Sequence, residues 1–571
     1  MCRLLVRAGC SRDSGRTAHA TCLAWRHLLV SHSLAYCLVP AAYCLVLIAF
    51  PGEVFLTRPR RIAVLGGGIT GLAAAYTLAK ARGAGAPIEE HLIEASDRLG
   101  GHLRTERAEG YVVEAGPDSF LAEKPEAAAL CRELGLGDQL IGSNDAGRRT
   151  YILHNGHLVP LPDGLMFLVP TRLWPTFWTP LLSWRSKAAI VADVFTRRPP
   201  PRSVTPAATF ESDDDLVTDD ESVADFIRRH FGDSMLENIA DPLLAGVYGG
   251  NAAGLSIRAV LPRFWQMEQK HGSLVRAVLA ARRQRRKAGH TSADSVASLR
   301  TFPSPGNGLG QSLPLFMTLR DGLGQLVEAL AARLDPNRIH LGQRVISLGR
   351  HGAAEPRPGS PAHGGYVITC ESGATFLADA VILALPTYTC GQLLAPFDER
   401  LGQLLGGIAY TAALTVALGY NAADLRGLPT GFGFLVPYQE QRRMLACTFV
   451  HNKFPARVAP GKGLLRCFLG GARDSSILES DDTDIMNILR SEIHDLLKIS
   501  AEPEFCRVYR WPMSMPQYSV GHLQRVKQVQ SRLEGVPGIS IAGNAYSGIG
   551  VSDCVRTGRA AAEGALVTIA D

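Results

Sequence analysis

The chain has 571 residues, of which 46% are hydrophobic and 20% are charged, so it is long enough for two or three domains with sizeable cores. Its formal net charge of +6 is small for this length, and it has no helix-turn-helix, zinc-finger or RNA-binding motif, so nucleic acid is not an expected partner. The twelve cysteines form no CxxC pair, which excludes a cysteine-based zinc site and favours a reducing compartment. We expect a globular protein without a bound metal.

Residues 1–57 differ in composition from the rest of the chain. The span from Leu28 to Phe50 has no Asp, Glu, Lys or Arg and is long enough to cross a bilayer, although Pro40 interrupts it. Five of the twelve cysteines also lie in this region. Three interpretations are open: a membrane anchor, a targeting segment, or translated upstream sequence that is not native to the protein.

The next stretch predicts a strand, a glycine turn and a helix. An apolar run at 62–65 is followed by the pattern GxGxxG at Gly66, Gly68 and Gly71, and then by an alanine-rich segment with high helix propensity. The first glycine allows a tight turn, the second lets the backbone approach a pyrophosphate, and the third lets the helix pack on the strand. This pattern predicts a dinucleotide site at a helix N-terminus. The site also includes Gly67, Ile69 and Thr70.

Two further turns extend this predicted site. About twenty residues after the glycines, Glu94 ends a second apolar strand, where its carboxylate can accept a hydrogen bond from a ribose hydroxyl. Gly100 and Gly101 would let the backbone turn against the sugar and phosphates, while Arg98 offers its charge to the pyrophosphate. A turn after the strand YVVE would pass beside the cofactor. These turns add His102, Gly116, Pro117 and Asp118 to the site.

These motifs and five later segments resemble the flavin amine oxidase superfamily and, within it, the oxygen-dependent porphyrinogen oxidases of haem synthesis. The resemblance covers almost the whole chain from Arg61. It implies that the site binds FAD and that the chain oxidises a tetrapyrrole, protoporphyrinogen IX or alternatively coproporphyrinogen III, with O2 as acceptor and hydrogen peroxide as product. The later segments are DESVADFIRRHFG, DPLLAGVYGGNAAGLS, GFGFLVP, MPQYSVGH and AGNAYSGIGVSDCVRTGR, which begin at residues 220, 241, 431, 515 and 542.

The resemblance also implies an α/β architecture with three parts. A discontinuous FAD-binding Rossmann-type domain accompanies an α+β substrate domain and an inserted helical, membrane-facing domain. More distant alternatives are an amine oxidase, a carotene desaturase, or a catalytically silent flavoprotein in haem assembly. The expected division is an extension at 1–57, FAD-binding parts at 58–147, 311–395 and 531–571, a substrate-domain hairpin at 148–165, a helical domain at 166–310 and the remaining substrate domain at 396–530.

The substrate-domain hairpin is predicted around Asn155 and Gly156, a dipeptide that strongly favours a two-residue hairpin turn. Some relatives place an arginine for a substrate propionate on its first strand, at the position that here is Thr150. Because side chains alternate along a strand, Arg148 would share the face of Thr150. Arg148 is therefore the expected replacement, against the alternative of a solvated arginine.

The segment from Phe167 to Ile190 contains three tryptophans and three prolines. Such a composition suits a bent apolar surface at a lipid interface, or else the core of a helical domain. The resemblance implies peripheral contact with the cytoplasmic face of a membrane, and it leaves a homodimer as an option. Residues 207–221 predict a solvated linker before a helix capped near Ser222, and the basic run 282–287 leads into a surface loop that extends to residue 311.

The last part of the chain returns to the cofactor site. The resemblance places the backbone of Val345 against the adenine, while the glycine loop and helix at the C-terminal end contribute Ile549, Gly550 and Val551. Ser552 or Asp553 can cap this helix, whose N-terminus would stabilise negative charge on a reduced flavin. No catalytic side chain is assigned, because a flavin performs hydride transfer itself. Three residues of GFGFLVP are expected either to line the substrate pocket or to pack in the core, namely Phe432, Phe434 and Leu435.

Overall fold

The computed structural model describes most of the chain from residue 58 onward. The predicted N-terminal extension, the acidic linker before residue 220 and the loop after residue 287 lie outside the described part. The described residues are 58–163, 165–166, 169–170, 173–196, 220–287, 314–352 and 364–568.

A five-stranded parallel sheet organises the cofactor region. Its strands are short apolar runs, as is typical of a parallel sheet covered on both faces. In spatial order they are Ile339–His340, Ile88–Ile93, Arg60–Leu65, Ala380–Leu383 and Ile539–Ile541. The sheet thus takes its strands from three separated stretches of the chain, which agrees with the predicted α/β class.

Two helices from opposite parts of the chain pack together on one face of this sheet. The first helix, Ile69–Gly83, and the C-terminal helix, Val551–Thr568, share one buried apolar cluster with the strands. The helices Pro125–Glu133 and Gly324–Ala331 complete this cluster. An early and a late segment of the chain therefore belong to one core.

The other face of the parallel sheet carries a three-stranded antiparallel sheet and three helices. Apolar side chains such as Leu348, Leu404 and Val529 form a second buried cluster there. Two of these helices lie inside the stretch 396–530 predicted for the substrate domain, yet they pack on the cofactor region. The elements are the strands Val345–His351, Gly365–Cys370 and Thr375–Ala378 and the helices Thr387–Leu394, Glu399–Gly406 and His522–Leu533.

A seven-stranded sheet forms the second large layer. The helix Asp482–Leu497 covers one face of it, and the opposite face, called here the open face, meets the turn at residues 115–118. Asn155 and Gly156 have φ angles of 51° and 75°, which confirms the predicted hairpin turn. The strands in spatial order are Phe505–Pro516, Tyr410–Asn421, Lys462–Gly470, Met444–Phe449, Gly433–Leu435, Thr150–His154 and His157–Pro160.

Smaller antiparallel units connect the two layers. The hairpin Thr105–Ala108 with Tyr111–Glu114 leads into the turn at residues 115–118. A three-stranded unit then joins Phe120–Leu121, Phe316–Leu319 and Leu140–Gly142. The turn at 115–118 therefore has regular structure close on both sides, which fixes its position.

The described residues between 165 and 287 form a helical region around a third apolar cluster. The Ser222 hydroxyl accepts a hydrogen bond from the Asp225 backbone N–H at 3.0 Å, which confirms the predicted cap. The basic run 282–287 is the end of the helix Leu274–Lys287, and the loop predicted to follow it lies outside the described residues. The α-helices are Leu173–Trp178, Trp184–Phe195, Val223–Phe231, Asp233–Met235, Asp241–Tyr248, Ile257–Val260, Pro262–His271 and Leu274–Lys287, and the strands Leu165–Met166 and Val169–Pro170 form a short hairpin.

The predicted apolar segment of this region supplies both a core and a surface. Leu181 and Leu182 are buried in the third cluster. Trp174, Trp178 and Trp184 are instead 73–75% exposed. The rings of Trp174 and Trp178 lie 6.0 Å apart and those of Phe177 and Trp184 lie 6.4 Å apart, and we call these four residues the tryptophan surface. Within the described ranges, every helix is too short or too polar to span a bilayer.

A buried polar network links four helices of the helical region. His230 is fully buried, and its two ring nitrogens lie 2.6 Å from the Asp193 carboxylate and 3.0 Å from that of Glu268. Glu268 also accepts from Arg229 at 2.7 Å, and Asp193 accepts from the Ser273 hydroxyl at 2.6 Å. Burial opposes protonation of His230, but its two hydrogen bonds outweigh that effect and raise its pKa.

Candidate functional site

The glycine loop has three different environments at its three motif glycines. Gly66 has a φ of 104°, a conformation that favours glycine. A Cβ on Gly71 would overlap with the Gly66 carbonyl oxygen, because the helix starts in close contact with the strand. A Cβ on Gly68 would meet nothing within 4 Å, so this glycine faces open space. The loop thus leaves room for a group to approach the backbone at its middle glycine.

The Glu94 carboxylate closes one side of this space. Its Oε2 accepts a hydrogen bond from the Gly67 backbone N–H at 2.5 Å, and its Oε1 accepts from the backbone N–H and the hydroxyl of Ser96 at 2.8 Å each. The carboxylate is therefore held rigidly at the carboxyl end of the second strand. Oε2 accepts from one donor only, so it has a further lone pair that can accept from a ligand hydroxyl.

Val345 lies close to the same carboxyl end. The His340 carbonyl accepts from the Glu94 N–H at 2.9 Å, and the Gln343 N–H donates to the Glu94 carbonyl at 2.8 Å. The chain from His340 therefore runs past Glu94 immediately before it reaches Val345, which is half-buried and begins the next strand.

The paired glycines approach the glycine loop from the other side. The Gly100 N–H donates to the Gly67 carbonyl at 2.8 Å, and a Cβ on Gly101 would lie 3.1 Å from the Gly68 Cα. Arg98 donates to the carbonyls of Leu99 at 3.2 Å and Gly101 at 2.6 Å. Its guanidinium thus holds its own loop, a role that sequence reasoning missed when it assigned the charge to a pyrophosphate alone.

The turn at residues 115–118 is fixed by side chains from the open face of the seven-stranded sheet. The Ala115 carbonyl accepts from the Thr415 hydroxyl at 2.7 Å and from the Trp511 Nε1 at 2.9 Å. Arg466 donates to the Gly116 carbonyl. The signal for Arg466 was present in the sequence, since one arginine stands inside the apolar strand KGLLRCFLG, where an unpaired charge would be costly.

Charged groups surround the same turn. The Asp118 carboxylate is 2.9 Å from the Lys453 Nζ. Burial alone would raise the pKa of Asp118, but the positive charges of Lys453 and Arg466 outweigh burial and hold this pKa well below the usual range. Glu114 is 3.0 Å from Arg457, but here burial dominates and raises the carboxyl pKa. Pro117 lies between these two carboxylates in the turn. His102 is close by, with its ring edge-on to Trp511 at 5.3 Å.

The C-terminal helix begins directly after the glycine loop that contains Gly548 and Gly550. Cys554 makes its first regular backbone hydrogen bond, to the Gly550 carbonyl at 3.0 Å, so the N–H groups of Val551 and Ser552 precede the first intrahelical donor. Ile549 lies just before this helix start and packs against the third apolar cluster. Cys554 is buried, as predicted for a packed residue, and burial raises its thiol pKa to about 11.

Asp553 provides the cap in an unexpected way. Its carboxylate reaches back to the Gly550 N–H at 3.2 Å and also pairs with Lys124 at 2.6 Å. The Ser552 hydroxyl does not cap the helix but donates to the Lys124 carbonyl at 3.0 Å. Lys124 therefore ties the start of the C-terminal helix to the region that follows the turn at 115–118.

Direct contact joins the early and late parts of the site. A Cβ on Gly558 would overlap with the Thr70 carbonyl oxygen, so the first and C-terminal helices cross with their backbones in contact. Ile69 and Thr70 are both buried beneath this crossing. The glycine loop and the start of the C-terminal helix consequently border one space.

The predicted substrate residues occupy different positions. Phe434 points away from the open face into the core under the helix Asp482–Leu497, where its ring lies 6.2 Å from that of Phe449, which agrees with the core alternative for this residue. Leu435 alternates to the open face and packs in the same cluster as Ile549. Phe432 is nearly buried, just before the strand.

Arg148 precedes the first strand of the hairpin. That strand begins at Thr150, and residues 145–147 form a 3₁₀ turn directly before Arg148. The strand alternation that suggested Arg148 therefore does not extend to it. Arg148 is half-buried. Its role as the partner of a substrate propionate stays a prediction, based only on its position before the hairpin strand.

Comparison with known proteins places these features in a family context. A family model described as flavin containing amine oxidoreductase matches residues 69–566. A protein named coproporphyrinogen III oxidase from Bacillus subtilis (strain 168) is 34% identical over 514 residues, which cover 89% of this chain and 98% of the relative. Protoporphyrinogen oxidase 1, chloroplastic, from Arabidopsis thaliana is 28% identical over 508 residues, with 86% and 85% covered.

A solved structure has the same overall architecture. A protein from Exiguobacterium sp. 255-15, named for protoporphyrinogen oxidase, superimposes with a TM-score of 0.70 at 27% identity. The match covers 89% of this chain and 99% of that protein. The elements that border the cofactor space therefore belong to an architecture that is shared over nearly the full length of both chains.

Proposed function

Because the chain belongs to the family of flavin-containing amine oxidoreductases and has FAD as its cofactor, we propose that it oxidises a porphyrinogen to a porphyrin in haem biosynthesis. The observation that carries the proposal is the 34% identity to a coproporphyrinogen III oxidase across 98% of that relative. Coproporphyrinogen III is therefore the first candidate substrate. Protoporphyrinogen IX, the substrate favoured by the sequence alone, is the second, because relatives named for its oxidation also align over most of their length.

The residues that border the cofactor space fit FAD. The open side of Gly68 suits a pyrophosphate at the first helix N-terminus, and Oε2 of Glu94 has a lone pair for a ribose hydroxyl. Val345 is placed for the adenine end. The loop 549–551 suits the flavin end because it leads into the start of the C-terminal helix. The turn at residues 115–118 suits the same end because Lys124, which follows the turn, bonds Asp553 and Ser552 at that helix start.

The start of the C-terminal helix has a direct chemical role in this proposal. When bound, FAD supplies a hydride acceptor for a porphyrinogen bridge carbon and passes the electrons to O2, with three two-electron steps per porphyrin. The backbone N–H groups of Val551 and Ser552 stabilise negative charge that develops on the ring system near them. Lys124 and Asp553 hold this helix start in place.

A porphyrinogen needs a wide, mostly apolar pocket with cations for its propionates. The open face of the seven-stranded sheet, where Leu435 and Ile549 share one apolar cluster, suits the tetrapyrrole. Phe432 lies at the edge of that strand. Arg148 is the candidate partner for a propionate, by virtue of its place before the hairpin strand.

The reaction is tested with the purified full-length chain under air. We expect FAD absorbance in the protein and growth of porphyrin fluorescence with coproporphyrinogen III, at a higher kcat/KM than with protoporphyrinogen IX. A higher value for protoporphyrinogen IX would make it the substrate. FAD without porphyrin from either compound would favour the silent flavoprotein, and oxidation of amines or carotenes instead would favour the distant enzymes.

We also propose that the tryptophan surface binds the headgroup region of a membrane at its cytoplasmic face. Indole rings favour this depth, and three of them are exposed here beside Phe177. The expected result is sedimentation of the protein with phosphatidylglycerol vesicles, which Trp174→Ala with Trp178→Ala should reduce. Tyr438→Ala is the control, because Tyr438 is an equally exposed aromatic residue outside this surface. Equal sedimentation of all three proteins would contradict the proposal.

A further inference from the structure

The loop between the last strand of the parallel sheet and the C-terminal helix is held by one buried hydroxyl. Tyr518 is 2% exposed, and its hydroxyl donates to the Asn544 carbonyl at 2.7 Å while it accepts from the Gly548 N–H at 2.8 Å. These two bonds join both ends of the loop 544–548. The loop leads directly into residues 549–551, which we have placed against the flavin.

His522 supports the same arrangement. Its ring stacks on that of Tyr518 with centroids 4.1 Å apart and an angle of 10° between the planes. It is also hydrogen-bonded to the backbone of Tyr546, in the middle of the loop, and burial lowers its pKa to about 4. His522 is consequently neutral at physiological pH, so it contributes contact and shape here without adding charge near the flavin.

Tyr518 is itself anchored to the helical region by backbone contacts. Its carbonyl accepts from the Ser256 N–H at 2.8 Å, and the Gly521 N–H donates to the Asp220 carboxylate at 3.0 Å. Ser519 forms an isolated bridge with Leu255. The segment 518–521 therefore connects the helical region to the loop that precedes the flavin contacts.

We propose that Tyr518 is a positioning residue that sets the distance between the start of the C-terminal helix and the flavin. Its hydroxyl fixes the loop 544–548 relative to the helical region, and the loop in turn fixes residues 549–551. The hydroxyl would then affect the flavin ring indirectly, through the position of the helix N-terminus, without contact between Tyr518 and the flavin. This inference rests on the proposed FAD site.

The test compares Tyr518→Phe with Tyr366→Phe in the full-length protein. The control is matched, because Tyr366 is also buried and its hydroxyl donates to the Pro537 carbonyl. Pro537 precedes the strand Ile539–Ile541, and the loop 544–548 follows the same strand. For Tyr518→Phe we expect a shifted flavin absorption spectrum and reduction potential, roughly tenfold weaker FAD binding and a lower kcat with little change in KM. For Tyr366→Phe we expect only a lower melting temperature.

A second variant separates the hydroxyl from the packing of the segment. His522→Phe keeps a ring against Tyr518 but loses the bond to Tyr546, so it should shift the flavin spectrum in the same direction by a smaller amount. The inference is overturned if Tyr518→Phe has the wild-type spectrum, potential and FAD affinity and loses only melting temperature, as the control does. Wild-type protein without FAD would instead remove the proposed function, and this inference with it.

Discussion

The contact between the first and C-terminal helices and the buried polar network of the helical region both join distant segments, but they do so by different means. At the helix contact, Gly558 lies against the Thr70 backbone, so the absence of a side chain makes the approach possible. In the network, Asp193, His230 and Glu268 are all buried, and charged side chains make the contacts.

This difference determines what each region tolerates. A glycine contact fails when an atom is added, and the cost is steric. A buried polar network fails when an atom is removed, because the remaining partners stay buried without compensation. The two regions should therefore respond in opposite ways to substitutions that add or remove volume.

The largest expected effect is the removal of one network carboxylate. Glu268→Ala leaves Arg229 and His230 without their shared partner, and we expect a loss of about 3–5 kcal/mol in the free energy of unfolding. Chemical denaturation measures this loss. Glu237→Ala is the control, because Glu237 is exposed and bonds only Gln439 among the described contacts, and it should change stability by less than about 0.5 kcal/mol. Similar losses for both variants would show that the network adds nothing specific.

A second prediction concerns the open side of the glycine loop. Gly68→Val should weaken FAD binding on the order of a hundredfold, because its side chain would occupy the space left for the pyrophosphate. The apo protein should keep its melting temperature, since a Cβ at Gly68 meets no protein atom within 4 Å and its φ of −68° suits any residue. Gly83→Ala, at the far end of the same helix, should retain FAD. A yellow, FAD-loaded Gly68→Val protein would contradict the assignment.

The sequence predicts the elements on both sides of the helix contact well, because each of them is encoded locally. The motif at Gly66, Gly68 and Gly71 marks a strand, a turn and a helix within a few residues. The resemblance then pairs this unit with the late glycine loop before residue 551. The parallel sheet and both helices agree with that prediction. The strand, turn and helix of each unit were predictable because each depends on residues that are neighbours in the sequence.

The network and the supports of the turn at 115–118 could not be predicted in the same way. His230 and Glu268 are 38 residues apart in the sequence and lie on two different helices, and nothing in the sequence of either helix shows that the two side chains meet. Arg466 is an exception, since its charge inside an apolar strand signals a buried partner. For Phe434 the choice between pocket and core stayed open, because a strand of three residues does not reveal which of its faces is covered.

A third prediction tests the helix contact with two glycines of one helix. Gly558→Ala should lower the free energy of unfolding by about 1–3 kcal/mol, because the new methyl group overlaps with the Thr70 carbonyl. Gly564→Ala should raise it by about 0.5–1 kcal/mol, because its Cβ would meet nothing and alanine favours a helix. Denaturant titrations of both variants decide the matter, and effects of the same sign would contradict the contact.

The smallest expected effect is the pH dependence of the network. Burial lowers the pKa of His230, but its bonds to Asp193 and Glu268 raise it above the unfolded value near 6.5. The stability that protonated His230 contributes is thus complete below that value and is lost as pH rises through the folded pKa. Glu268 stays ionised throughout, since burial is outweighed by Arg229 and its pKa is about 2.

The difference in unfolding free energy between wild type and His230→Gln should therefore be largest below about pH 6.5 and shrink as the pH rises through the folded pKa of His230. Denaturant titrations at several pH values measure it. Arg229 stays protonated over the whole range, so His230 is the network group whose titration this comparison isolates. A difference that stays constant with pH would mean that His230 is neutral in the folded protein, and that hydrogen bonding without charge holds the four helices together.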